Sequence, residues 1–268
     1  ANNLVTLIPV KDVTFTSSND CGGLFGFLRN SGSLTISGEN LVTGVTLNGN
    51  SSSGGLIGWY PTTEDAALVI QGVTLSSTIT SGNNVGGLIG YAQADGKSSS
   101  IRVTGSEVTY QGTARTGYSA GLIAVMDKKT FLEVSSTTIT CSNAATNYGG
   151  LVGNMQGADS GSLVLVGEGV TITNAPPGSG TVGGLIGNMD SGVLYMAATP
   201  VLNMDSIGGN NATRGWIVGR RGDNTLVCSA DPDWEAHTAK STNDTGRWGQ
   251  VLRLASFKDL VSLNADTH

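Results

Sequence analysis

Charge is scarce in this 268-residue chain, where Lys, Arg, Asp and Glu together make up 13% of the residues. Their balance is −6, so a nucleic-acid partner has no electrostatic footprint to bind. Histidine occurs only as His237 and His268, which leaves little room for imidazole acid–base chemistry. There is no H-E-x-x-H, no C-x-x-C and no P-loop, so zinc hydrolysis and nucleotide binding have no foothold and no cofactor is called for. Six prolines are too few for a Pro-rich linker, and the 40 glycines lack the Gly-X-Y period of collagen. The three cysteines, Cys21, Cys141 and Cys228, are an odd and widely spaced set, which predicts small buried apolar thiols rather than paired disulfides. No apolar run reaches the roughly 18 residues of a spanning helix, so no membrane insertion of this segment is expected. The chain opens Ala1-Asn2-Asn3 without an initiator Met or a signal peptide, which reads as a processed product or a piece of something longer.

What is present is one pentapeptide, repeated. It reads GGLFG at Gly22–Gly26, GGLIG at Gly54–Gly58 and Gly86–Gly90, AGLIA at Ala120–Ala124, GGLVG at Gly149–Gly153 and GGLIG at Gly183–Gly187. A worn copy, RGWIVG, follows at Arg214–Gly219. Successive boxes lie 32, 32, 34, 29, 34 and 31 residues apart, the signature of a solenoid. Function is then expected on a surface rather than in a pocket.

Two further strand signals recur between boxes. The first is an apolar–x–apolar triplet, at Leu34/Ile36, Leu68/Ile70, Ile101/Val103, Leu132/Val134, Leu163/Leu165, Leu194/Met196 and Leu226/Cys228. Period-two alternation predicts the apolar pair inside and the variable middle residue outside. The second is a V-T-aliphatic triplet, as in Val45-Thr46-Leu47 and Val170-Thr171-Ile172, with its threonine outward. The box supplies a third strand, flanked by glycines that permit a tight bend and close backbone approach. Of its two aliphatics, one is expected in the interior and the other at a corner. A single coil offers too few apolar pairs for a core, whereas stacked coils bury one another in ladders about 4.8 Å apart. The prediction is an all-β, single-stranded, right-handed parallel β-helix of about seven coils of ~32 residues, with three short strands per coil.

The GGL[IV]G box, the Ser/Thr/Asn-rich spacers and the period near 30 resemble the GLUG-type repeats of bacterial surface proteins. That resemblance covers residues 1–219, with coils slightly longer and less regular than the usual pattern. It implies a secreted, cell-wall-attached or adhesin-like setting, and no catalytic residues. Such repeats also stand beside the protease domain of certain immunoglobulin-cleaving metallopeptidases, whose zinc motif this chain lacks.

Several residue sets could carry function. β-Helical lyases and hydrolases use carboxylates with a Lys or Arg along one face. The candidates for that role are Asp65, Asp95, Asp127, Asp159 and Asp190 with Arg115 and Lys128–Lys129, but their offsets from the boxes vary and Asp is a common turn residue. Calcium sites of the β-roll type would need an Asp two residues after the last box glycine, and no box supplies one. Aromatics follow the first three boxes at one register: Phe27, Trp59 and Tyr91. Outward, these rings would form a strip on which sugars stack; inward, they are an ordinary aromatic stack, the reading favoured here. The outward threonines Thr14, Thr46, Thr74, Thr109, Thr138 and Thr171 are expected to form a ladder, generic strand surface rather than a flat Thr-x-Thr ice-binding array. Arg221-Gly222-Asp223 is an integrin-type tripeptide of low specificity, and the N-x-S/T sequons at Asn50, Asn211 and Asn243 matter only in a eukaryotic source.

Composition changes from residue 220, where tryptophans cluster and Asp231-Pro232-Asp233 marks a turn. Residues 1–219 are therefore expected as the repeat domain. Residues 220–268 are expected as the last coil, around Leu226–Cys228, plus a cap or junction with a short helix over Ser256–Leu263. The resulting expectation is a non-catalytic extracellular module of a cell-surface protein, a rigid spacer or adhesive surface. Its partners would be glycans, proteins or copies of itself end to end. A carbohydrate-binding or polysaccharide-degrading β-helix and a self-stacking filament subunit are the alternatives.

Overall fold

Every pairing between described strands is parallel and joins a segment to its counterpart one repeat away. The structure, a computed structural model, describes residues 9–95, 97–114, 116–142, 147–157, 161–174, 180–204, 214–231 and 251–253. The chain is a right-handed parallel β-helix of about six turns with ~32 residues per turn. Among the described residues no helix is long and apolar enough to cross a membrane.

The V-T-aliphatic segments make one face, running from Val10–Lys11 through Val42–Gly49, Thr74–Ser81, Glu107–Ala114, Thr138–Ser142 and Thr171–Asn174 to Val201–Met204. Short strands leading into the boxes, from Cys21–Gly22 to Arg214–Gly215, stack seven deep on a second face. The segments that leave the boxes, such as Ile57–Thr62 and Ile89–Ala94, form a third. The apolar–x–apolar triplets form a fourth, and the long strands Ile186–Met196 and Val218–Ser229 run through the turn between these last two faces. One interior core threads all of them, with Leu47, Leu75, Val108, Ile139 and Ile172 from the first face among its members.

The box, expected as one strand, is instead a corner between two. In the second coil the chain leaves Ser52–Gly54, turns, and re-enters sheet at Ile57. The N–H groups of Leu56 and Ile57 both donate to the carbonyl of Leu88 in the next coil, at 2.9 and 3.0 Å. The same shared acceptor recurs for Leu24 and Phe25 on Leu56, Leu88 and Ile89 on Leu122, and Leu122 and Ile123 on Leu151. Two successive donors converge because the backbone bends between them. The bend turns both side chains inward, so Leu56 and Ile57 are each fully buried, not divided between interior and corner.

The second glycine of the box is fixed by close approach. A β-carbon on Gly55 would lie 2.1 Å from the carbonyl oxygen of Gly87, and one on Gly87 would lie 2.1 Å from that of Gly121. Each such atom would point at the coil that follows. In the last box this position is Trp216, since Gly183 pairs with Gly215.

The threonine face holds a register shift. Leu75 pairs with Val42 but Ser77 pairs with Val45, so the strand Val42–Gly49 carries one extra residue. Gly44 sits within that bulge at a φ of +63°, a conformation that a side chain would oppose.

The triplet face corrects the expected orientation of its last coils. Leu132 pairs with Val164 and Val134 with Val166, so the two valines enter the core while Leu163 and Leu165 face out. Val227, paired with Leu194, is likewise inside, and Leu226 and Cys228 are on the other side. The physical reason is that Leu163–Val166 is apolar at both parities, so the neighbouring coil chooses the register. The outward residues build a second apolar cluster, with Tyr195 and Cys228 buried among Leu163, Leu165, Val193, Leu226 and Ala230. Val251–Arg253 continues the stack by pairing with Val227–Ser229, whereas the expected helix over Ser256–Leu263 lies outside the described residues.

Candidate functional site

On the face that leaves the boxes, Phe27, Trp59, Tyr91, Val125, Asn154, Asn188 and Arg220 pair in one continuous column. The inward place on these strands belongs to the next residue along. Tyr60, Ala92, Met126, Met155 and Met189 are all buried in the core. The aromatic rings are therefore on the outer surface, not in the inward stack favoured from sequence. Phe27 is 50% exposed, and its ring meets that of Trp59 edge to face at 5.2 Å. Trp59 meets Tyr91 in the same way at 6.5 Å.

Beyond Tyr91 the column becomes a hydrogen-bonded polar strip. The Tyr91 hydroxyl donates to Asp127 Oδ2 at 2.8 Å and accepts from Gln156 Nε2 at 3.1 Å. Asn154 Nδ2 donates to Gln156 Oε1, and Asn188 Nδ2 donates to Asn154 Oδ1, both at 2.8 Å. Burial, followed by the Asp127 carboxylate that accepts its proton, pushes the Tyr91 phenol well above its ordinary range. Tyr91 is a neutral donor here.

At the aromatic end a cleft of about 510 Å³ opens between the first two coils, lined by Asn19, Asp20, Gly26, Phe27, Ser51 and Trp59. Asp20 is held in the lining because Oδ1 accepts the Ser52 N–H at 3.0 Å. The same bond recurs further along: Asn84 Oδ1 accepts the Tyr118 N–H and Asn147 Oδ1 accepts the Thr181 N–H, each from the following coil. Sequence reasoning missed this Asp/Asn series. Its signal was there, an Asp or Asn two residues before the first box glycine in three coils.

Of the other candidates, Asp95 and Asp127 both act on Tyr91 and Lys128 pairs with Asp95, so these three come together on one face. Asp65 accepts from the Ser98 N–H and hydroxyl, Asp95 pairs with Lys128 at 3.1 Å, and Asp127 is bound to Tyr91. The Ser98 bonds are what lower the Asp65 carboxyl below its usual range, as befits a turn residue. Asp159 and Arg115 lie outside the described residues. Among the described residues, no three acidic, histidine or cysteine side chains gather as a metal site.

All six expected threonines are on the outer side, but they do not form one ladder. Thr14 pairs with Thr46, which then pairs with Thr78; Thr74 pairs with Glu107, Thr109 with Thr140, and Thr138 with Thr171. The bulge at Gly44 and a two-residue offset between Thr74–Ser81 and the next strand break the column.

Arg221-Gly222-Asp223 lies within the strand Val218–Ser229 rather than at a loop tip. The Arg221 guanidinium is folded back on Thr225, donating to its hydroxyl at 3.2 Å and its carbonyl at 3.0 Å. That geometry does not present an integrin-type motif.

No protein-family model matches this chain, and neither a curated protein nor a solved structure does.

Proposed function

We propose that this chain is a non-catalytic extracellular module of a cell-surface protein, a rigid spacer whose outer face carries a partner-binding surface. The observation that carries this reading is the combination of a single unbroken core with a column of outward aromatic rings on the face that leaves the boxes. A solenoid whose corners are locked coil to coil by shared carbonyls resists bending, and outward aromatics on a rigid surface, here an exposed Phe27 beside half-buried Trp59 and Tyr91, are what partner recognition uses. The resemblance of the boxes to GLUG-type repeats supports the cell-surface setting. The non-catalytic reading is supported by the carboxylates, since Asp65 is tied to Ser98, Asp95 to Lys128 and Asp127 to the Tyr91 hydroxyl.

The deciding experiment is incubation with a panel of neutral and acidic polysaccharides from pH 4 to pH 9, with assay of new reducing ends and unsaturated products. No release is expected at any pH. Turnover that depends on Asp95 or Asp127 would overturn the reading in favour of a polysaccharide-degrading β-helix.

A further inference from the structure

We infer that the cleft between the first two coils is a subsite for a neutral pyranose, an inference that rests on the reading of the outer face as a partner surface. Phe27 and Trp59 form two walls at 86° to each other, and Gly26 in the lining adds no side chain. An apolar corner of this kind receives the C–H face of a sugar ring, which stacks on aromatic carbon while its hydroxyls point away. The volume, about 510 Å³, falls in the ordinary range of small-ligand sites.

Hydroxyl partners share the lining with the rings. Asp20 uses Oδ1 to hold the Ser52 N–H, which fixes the carboxylate and leaves Oδ2 to accept from sugar hydroxyls. Asn19 spends its carbonyl on the N–H groups of Asn50 and Ser51, while the residue as a whole is exposed at the lining. Its side-chain amide can both donate and accept, and the Ser51 hydroxyl adds a third group.

Charge selects the class of sugar. The lining contains one carboxylate and no cation, and the chain as a whole carries −6. Arg29 sits 5.9 Å from the Phe27 ring centre and outside the lining. A uronate or other acidic sugar would therefore meet repulsion from Asp20 within the lining while Arg29 stays outside it, whereas a neutral pyranose would not.

The test is saturation-transfer NMR followed by titration calorimetry on the whole chain. The probes are maltotriose, cellotriose, mannotriose and chitotriose, with trigalacturonate as the acidic comparison. At least one neutral trimer is expected to receive saturation at its ring protons and to bind at least tenfold more tightly than trigalacturonate. Phe27→Ala is expected to weaken that trimer at least tenfold with an unchanged melting temperature, because Phe27 is exposed. Asp20→Asn is expected to narrow the preference against trigalacturonate. Silence from every neutral trimer, equal or tighter binding of trigalacturonate, or a Phe27→Ala variant that binds like the parent would each overturn the subsite. Cleavage of a bound trimer would leave the subsite standing and refute the non-catalytic reading. No binding and no cleavage would refute the subsite and leave the spacer.

Discussion

Trp216 stands in register with Gly184, one coil further on, at a position that is glycine in the six preceding boxes. A β-carbon at this position in an earlier box would strike the carbonyl of the coil that follows, as Gly87 would strike Gly121. Trp216 is thus the one box residue at this position that does not keep the close approach of the earlier glycines. Gly87→Ala should lower stability by about 2–3 kcal/mol, the cost of overpacking against backbone that cannot move aside. Gly32→Ala, with open space around the new methyl, should stay within about 0.5 kcal/mol. Urea denaturation followed by circular dichroism compares the two, and equal midpoints would contradict the close-approach account.

The triplet of the fifth repeat offers a test of which parity is buried. Val164 is fully buried and Leu165 is on the outer side. Val164→Asp places a carboxylate in the core without a partner and should cost more than about 4 kcal/mol, enough to prevent folding. Leu165→Asp should cost less than about 2 kcal/mol, through lost apolar contact alone. Soluble yield and thermal melting separate them, and a reversed order would return Leu163 and Leu165 to the interior.

Thiol ionisation gives a pH test. Burial raises the Cys141 thiol to about 11 and the Cys228 thiol to about 11, against an ordinary value of 9.0. Both cysteines are free. Below pH 9 the thiols are protonated in folded and unfolded chains alike, and stability is at its full value. Between about 9 and about 11 the unfolded chain releases protons that the folded chain retains, so the urea midpoint should fall across that window. Tyr110, raised by burial in the interior, pulls in the same direction at still higher pH. Native protein should also resist a thiol reagent at pH 8 and react once unfolded. A midpoint that is flat from pH 8 to pH 11 would contradict buried neutral thiols.

The sequence was legible where the box spacing and period-two alternation acted together. Seven boxes at a near-constant interval define the solenoid, and the inward faces of Val45/Leu47, Val73/Leu75 and Val170/Ile172 follow from alternation. Alternation fixes the face of a strand but not its position along the neighbour. A shift of two residues, such as the one that pairs Thr74 with Glu107, leaves every side chain on its expected side and is invisible in one sequence. Where both parities are apolar, as at Leu163–Val166, even the face is undetermined. The aromatic column was misjudged for a related reason. Trp59 and Tyr60 are adjacent and both aromatic, so hydrophobicity could not say which one the strand leaving the corner turns inward. The cleft beside them depends on Asp20 and Ser51, which belong to neighbouring coils and meet only when the coils stack.

In-register stacking of successive coils is tested most directly by spin-label distances along one outward column. Thr35, Val69, Arg102 and Glu133 pair in sequence on the triplet face. Labels at Thr35 and Arg102, and then at Thr35 and Glu133, span two and three coils. Backbone separations of about 10 and 14 Å are expected, a steady increment of about 4.8 Å per coil. Distances that fail to grow with coil number, or that alternate as in antiparallel hairpins, would contradict the β-helix and the surface reading built upon it.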